Sequence, residues 1–156
     1  MKQNFARRPL RLDRVFRTSL LFFVTFCTYR RKQWLACDEI HVAFIRFAQR
    51  AESEFNVAVG RYVLMPDRIH LFVSGGLDFV LGHWIGMLRQ ALAKAAGRPE
   101  KRLQNWQEGF FDHVPRSEES YGEKWNYVRE NPVRAGLVMS PDGWPYQGEI
   151  VYIDRI

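Results

Sequence analysis

Residues 62–75 read YVLMPDRIHLFVSG, and the fold turns on how this stretch divides. An apolar, β-branched and aromatic run stops at Met65-Pro66-Asp67 and resumes as Ile69 to Val73. The interruption is short enough for a hairpin-like turn, so the sequence predicts two strands, Val57–Leu64 and Ile69–Val73. Alternation in the second strand places Arg68 and His70 on one face. Two imidazoles at those positions would make half of a metal site, but one of the pair is an arginine. The triplet therefore stands open between a metal site, a site short of one ligand, and the polar edge of a strand.

Outward from this hairpin the pattern is regular. Ser19–Thr28, rich in Phe, Val and Thr, reads as a buried strand. Glu39–Phe55 carries Ile40, Phe44, Phe47, Ala48 and Ala51 near the helical period, after an Asp38 N-cap. Downstream, Gly75-Gly76 closes the strand, and Val80–Ala96 is a second helix with an apolar stripe from Leu81 to Ala95, stopped by Gly97. Residues 98–108 are polar and expected to be loop, and Gly109–Val114 is a short fourth strand. Ser117-Glu118-Glu119-Ser120 opens a third helix with a capped, acidic first turn. That helix should run to about Glu130, because Pro132 moves Asn131 out of the α region. A turn-rich tail, 140–156, leaves room for one strand at Glu149–Ile153. The order β-α-β-β-α-β-α predicts a ferredoxin-like α+β sandwich with an added C-terminal helix. One domain, 1–156, is expected, with a basic arm at 1–17.

The 156 residues are 47% hydrophobic and 26% charged, the composition of a globular chain rather than a disordered one. Lys and Arg number 23 against 17 Asp and Glu, a net +6 that favours a polyanionic partner, nucleic acid ahead of an anionic membrane. The cations cluster: Lys2, Arg7, Arg8, Arg11, Arg14 and Arg17 precede the first apolar run, and Arg30, Arg31 and Lys32 follow it. They read as a solvated tail and turn, or as an arm and rim that neutralise phosphates. Cys27 and Cys37 have no metal-site or redox spacing, so reduced thiols are expected. No stretch approaches the roughly 18 apolar residues of a membrane span, and LLFFVTFCT suits a strand better than a signal peptide. A soluble, cytoplasmic protein is expected.

No P-loop, GxSxG, HExxH or paired CxxC pattern is present, which sets aside most nucleotide hydrolases, serine hydrolases and zinc proteins. What remains is the Arg-Ile-His step and the segment KWNYVRENP. Tyr127 and Asn131, four apart, would share a helix face; Tyr121 and Tyr127, six apart, would not. Taken singly, Tyr127 reads as a core-edge aromatic, Asn131 as a helix-ending residue before proline, and His70 as a hydrogen-bonded strand residue.

In order, FFVTFCTYRR, YVLMPDRIHLFV, GFFDHVPRSEES and YVRENPVRAGLV resemble the signature segments of REP-associated tyrosine transposases, over about Thr18 to Tyr146. These are small single-tyrosine relatives of the HUH transposases, bacterial enzymes that cut and join single-stranded DNA. The resemblance implies a ferredoxin-like fold and a pair of histidines flanking a hydrophobic residue that bind magnesium or manganese. By position it makes Tyr127 the nucleophile, His70 the second histidine, Ile69 the hydrophobic residue and Asn131 an amide ligand. It implies transesterification through a 5′-phosphotyrosine, with single-stranded or hairpin DNA bearing repetitive extragenic palindromes as partner. Arg7, Arg8, Arg11, Arg14, Arg30, Arg31 and Lys32 would then follow the DNA backbone, and aromatic side chains would stack on bases. It further implies a nucleoid-associated location and a monomer, although transposon relatives dimerise.

Arg68 departs from the pattern, standing where the first histidine belongs. A guanidinium has no lone pair for a metal and repels a cation beside it. Three outcomes follow: a DNA strand transferase in which Arg68 meets the scissile phosphate, a hairpin-binding protein that has lost cleavage, or, against the basic charge balance, a fold reused for something unrelated to DNA.

Overall fold

Strand β3, Arg68–Ser74, sends Ile69, Leu71 and Val73 into one apolar core and Phe72 into another. The computed structural model describes residues 20–98, 102–115 and 118–153; the basic arm at 1–17 lies outside them. Strand β1, Leu21–Cys27, obeys the same alternation, with Val24 and Phe26 on the first side and Leu21 and Phe23 on the second. β1 pairs antiparallel with β3 along its length, from Leu21↔Ser74 to Cys27↔Arg68. Strand β2, Ala58–Leu64, pairs with the other edge of β3 through the predicted Met65-Pro66-Asp67 turn. Its register slips between Val59 and Tyr62, so both of these reach the first core across one extra residue. Short strands β4, Phe111–His113, and β5, Gln147–Glu149, close the edges in the order β4-β1-β3-β2-β5. This is the ferredoxin-like sheet with a fifth strand added.

Helices α1, Asp38–Phe55, and α2, Leu81–Ala95, cover the first face. Their buried stripes, Ile40, Phe44, Ala48 and Ala51 on α1 and Trp84, Ile85, Leu88 and Leu92 on α2, follow the predicted ones, except that Phe47 and Leu81 are half-buried and Ala95, in the last turn, is exposed. The second face is covered by later chain: Tyr121 and Val128 from α4, Glu118–Val128, with Trp144, Val151 and Ile153 from the tail. The Tyr121 ring lies 4.3 Å from that of Phe72, which ties α4 to the strand that carries His70.

Four details differ from the sequence reading. Cys37 rather than Asp38 is the N-cap of α1, with no side-chain cap bond; Asp38 and Glu39 occupy the first turn, where their charge opposes the helix dipole. Residues 98–108 contain a helical turn, α3, Arg102–Asn105, followed by a bridge from Trp106 to Thr28. Trp106 is buried against Phe26 and Trp34, an apolar anchor inside an otherwise polar run. The last strand lies earlier than Glu149–Ile153, because Val151 and Ile153 are drawn into the second core.

The fourth difference concerns the site. α4 stops at Val128, and a separate short helix, α5, Asn131–Arg134, begins at the Asn-Pro pair. Proline fits a first helical turn, where its fixed φ is favourable and its missing N–H costs nothing. The pair therefore opens a helix as well as ending one. Gly136, at φ +73, terminates it with its N–H on the Val133 carbonyl at 2.9 Å. Tyr127 and Asn131 consequently do not share one helix face.

Phe44 is fully buried, its ring 4.5 Å from that of Tyr62, and joins α1 to the sheet. Phe44→Ala should lower the unfolding free energy by about 3–5 kcal/mol in urea denaturation, whereas a loss below about 1 kcal/mol would contradict this packing.

Candidate functional site

His70 is the centre of the site. It faces Thr25 across the β1–β3 ladder, and its Nδ1 lies 2.7 Å from Thr25 Oγ1. Its Nε2 is met by Arg68 Nε at 3.3 Å and by Asn131 Nδ2 at 3.1 Å. A guanidinium only donates, so Nε2 is the acceptor and Nδ1 carries the proton toward Thr25. The Phe23 ring stacks parallel to the imidazole at 6.0 Å. Burial, then the positive charges of Arg68 and Arg31, push the His70 pKa down to about 3. The imidazole is neutral across the physiological range.

Asp67 anchors the near side. Its carboxylate accepts from Arg31 Nε and from Arg68 NH1, each at 2.9 Å. Burial raises its pKa, but the hydrogen bond and charge of Arg31, with those of Arg68, outweigh this and the net shift is downward. Arg31 also donates to Cys27 Sγ and sits in a tight turn, Tyr29–Arg31, with Arg30 and Arg31 both at positive φ.

On the far side, Arg134 joins the two residues that the helix break separated. Its guanidinium donates to Asn131 Oδ1 and to the Tyr127 carbonyl, and stacks 4.2 Å from the Tyr127 ring centre. With Oδ1 occupied, Asn131 turns Nδ2 to His70, so Arg134 sets the amide orientation. Tyr127 is 65% exposed while Tyr121 is buried, the opposed facing that their spacing predicts. Lys124 adds another cation, its Nζ 5.1 Å from the centre of the Phe23 ring.

The predicted site residues thus divide. Arg68, His70, Asn131 and Tyr127 form one connected constellation, and Arg31 reaches it through Asp67. Arg30, whose guanidinium lies over its neighbour Tyr29, and Lys32 are exposed on the adjoining turn. Arg7, Arg8, Arg11 and Arg14 lie outside the described residues. Arg134, Thr25 and Lys124 were not singled out by sequence. Arg134 was legible as a cation three residues beyond Asn131, whereas Thr25 follows only from strand register.

With this geometry in view, comparison with known proteins is specific. The chain is 27% identical over 130 residues to the REP-associated tyrosine transposase of Escherichia coli K12, covering 80% of this chain and 73% of that protein. The solved structure of a REP-associated tyrosine transposase bound to a REP hairpin superposes with a TM-score of 0.69 at 20% identity, over 82% of this chain and 75% of that one. This chain has the fold of REP-associated tyrosine transposases. A candidate transposase from Deinococcus radiodurans R1 superposes at 0.50 with 18% identity, over 72% and 90% of the two chains. No protein-family model matches. The resemblance to REP-associated tyrosine transposases therefore holds in sequence and in fold.

That resemblance brings a divalent cation into question, and the residues present do not fit one. The two atoms available as ligands, His70 Nε2 and Asn131 Oδ1, each accept a hydrogen bond from an arginine. The Asp67 carboxylate beside them is shared by two guanidiniums. Among the described residues no group of three His, Cys, Asp or Glu side chains converges. A dication here would meet each neighbouring guanidinium at about 4 kcal/mol per unit charge at 4 Å, for an effective dielectric near 20. No described helix is long and apolar enough to cross a membrane.

The depressed His70 pKa has a consequence for stability. An unfolded histidine titrates near 6.5 while the folded one stays neutral, so protons favour the unfolded chain between pH 6.5 and about 3. Lowering the pH from 7 to 5 should remove about 2 kcal/mol of unfolding free energy through this residue. Half-buried His41, its pKa lowered mainly by burial, adds a contribution of the same sign. Denaturation curves of His70→Gln should show a clearly smaller acid dependence, and an unchanged one would contradict the buried, neutral imidazole.

Proposed function

We propose that the chain acts on single-stranded or hairpin DNA as a REP-associated tyrosine transposase does, cutting and rejoining one strand through Tyr127. The observation that carries this reading is an exposed tyrosine held by a guanidinium that also grips Asn131, which in turn meets His70. Tyr127 Oη bonds to a backbone phosphorus and the bond from phosphorus to the 3′-oxygen breaks. The phenolic proton passes to water, and the leaving 3′-oxygen takes one from water. A 5′-phosphotyrosine and a free 3′-hydroxyl result, and attack by a 3′-hydroxyl reverses the step. The phosphodiester energy is retained in the covalent link, so no nucleotide cofactor is required.

In this reading Arg134 orients the tyrosine, and Arg68 offers positive charge to the phosphate. Arg30 and Lys32 lie on the same turn as Arg31 and form a basic rim for the DNA backbone, and Arg7, Arg8, Arg11 and Arg14 add cations for the same partner. The similar solved transposase is bound to a REP hairpin, which supports hairpin DNA as the partner class here. A monomer in the cytoplasm, associated with the nucleoid, fits such a role.

A second reading is favoured by one specific contact. Arg68 covers the Nε2 lone pair that a metal-dependent nuclease would need, which suits a protein that binds hairpins without cutting them. Incubation of the full chain with a REP-type hairpin oligonucleotide, in manganese and in chelator, separates the two on a denaturing gel. The transferase reading expects a covalent adduct that Tyr127→Phe abolishes while hairpin affinity stays within about twofold. An adduct formed only by Arg68→His, with both proteins binding the hairpin, assigns the chain to binding alone. Failure of both to bind the hairpin would remove DNA as the partner.

A further inference from the structure

We infer that this site holds a phosphate between two guanidiniums, Arg68 and Arg134, and works without a divalent cation. The inference rests on the proposed DNA-acting role for its ligand class, but its geometry stands apart from any cleavage step. Arg68 donates to His70 Nε2 and Arg134 to Asn131 Oδ1, each satisfying the atom that would otherwise face a metal. Arg68 spends Nε on His70 and NH1 on Asp67, which leaves its NH2 group with no hydrogen-bond partner among the described residues. Arg134 is exposed and carries its charge against the exposed Tyr127 ring. A planar fork of donors matches a phosphodiester better than a point charge does.

The charge balance points the same way. Arg31, Arg68, Lys124 and Arg134 lie about the His70–Asn131 pair, and among the described residues the carboxylate bonded to them is Asp67, shared by Arg31 and Arg68. His70 and Asn131 are neutral, so this cluster of side chains carries an excess of positive charge that an anion would offset and a cation would increase. His70 acts here as a positioning residue. Its acceptor nitrogen fixes the Arg68 guanidinium in plane, its donor nitrogen is tied to Thr25, and Asn131 performs the same office for Arg134.

Two measurements on the full chain test this. Manganese titration followed by electron paramagnetic resonance should show no stoichiometric binding up to about 1 mM, whereas Arg68→His should bind below that concentration. Inorganic phosphate in chelator, against chloride at matched ionic strength, should raise the melting temperature by about 2–4 °C. Arg68→Gln and Arg134→Gln, shown to be folded by circular dichroism, should lose that shift, and Arg134→Lys should keep part of it. Stoichiometric manganese binding that His70→Gln abolishes would overturn the inference. So would a phosphate shift that is absent, or that both glutamine variants retain. A chain that passes both tests but ignores the hairpin oligonucleotide would support the phosphate grip and count only against the DNA reading.

Discussion

The residue-by-residue pairing of β1 with β3 is the constraint on which the rest of the molecule depends. Because Thr25 faces His70 and Cys27 faces Arg68, one face of two central strands carries a polar cluster among apolar neighbours. A slip of one residue would turn Ile69 and Leu71 out of the helix-covered core and bring Arg68 and His70 into it. Burial of Val24, Phe26, Leu71 and Val73 beneath α1 and α2 forbids that slip. The site is thus held in register by the face it does not occupy.

The second face solves a different problem. A buried polar side chain must have its hydrogen bonds met, and His70 has both nitrogens engaged, one by Thr25 and one by Arg68 and Asn131. The chain that supplies Asn131 arrives through α4, seated by Tyr121 on Phe72 and by Val128 in the second core. Apolar packing therefore delivers the polar residues, and the helix break at Asn131 lets the amide reach inward while Tyr127 remains outside. A continuous helix would have fixed both by one rotation.

Much of this was legible in the sequence, for identifiable reasons. The β-α-β-β-α-β order, the Arg68–His70 face and the opposition of Tyr121 and Tyr127 all follow from periods of two and 3.6, which local residues determine. The break between Val128 and Asn131 was half legible, since proline marks a boundary but does not say whether a new helix starts. Trp106 in a polar run was missed because a single buried aromatic carries no period. Thr25 and Asp67 were beyond reach, since their roles depend on strand register and on Arg31, which is 36 positions from Asp67 in sequence.

The identity of residue 68 decides which kind of chemistry this register supports. A histidine there would present a second nitrogen lone pair beside His70, relieve Nε2 of its guanidinium donor and leave the cluster one charge less positive. The arginine reverses each of these conditions at once. It donates to Nε2, fixes the His70 tautomer, adds a permanent charge and shares the Asp67 carboxylate with Arg31. Arg134 repeats the arrangement at Asn131 Oδ1. Two neutral side chains that could share a cation act here as acceptors for two guanidiniums, one of them against the Tyr127 ring.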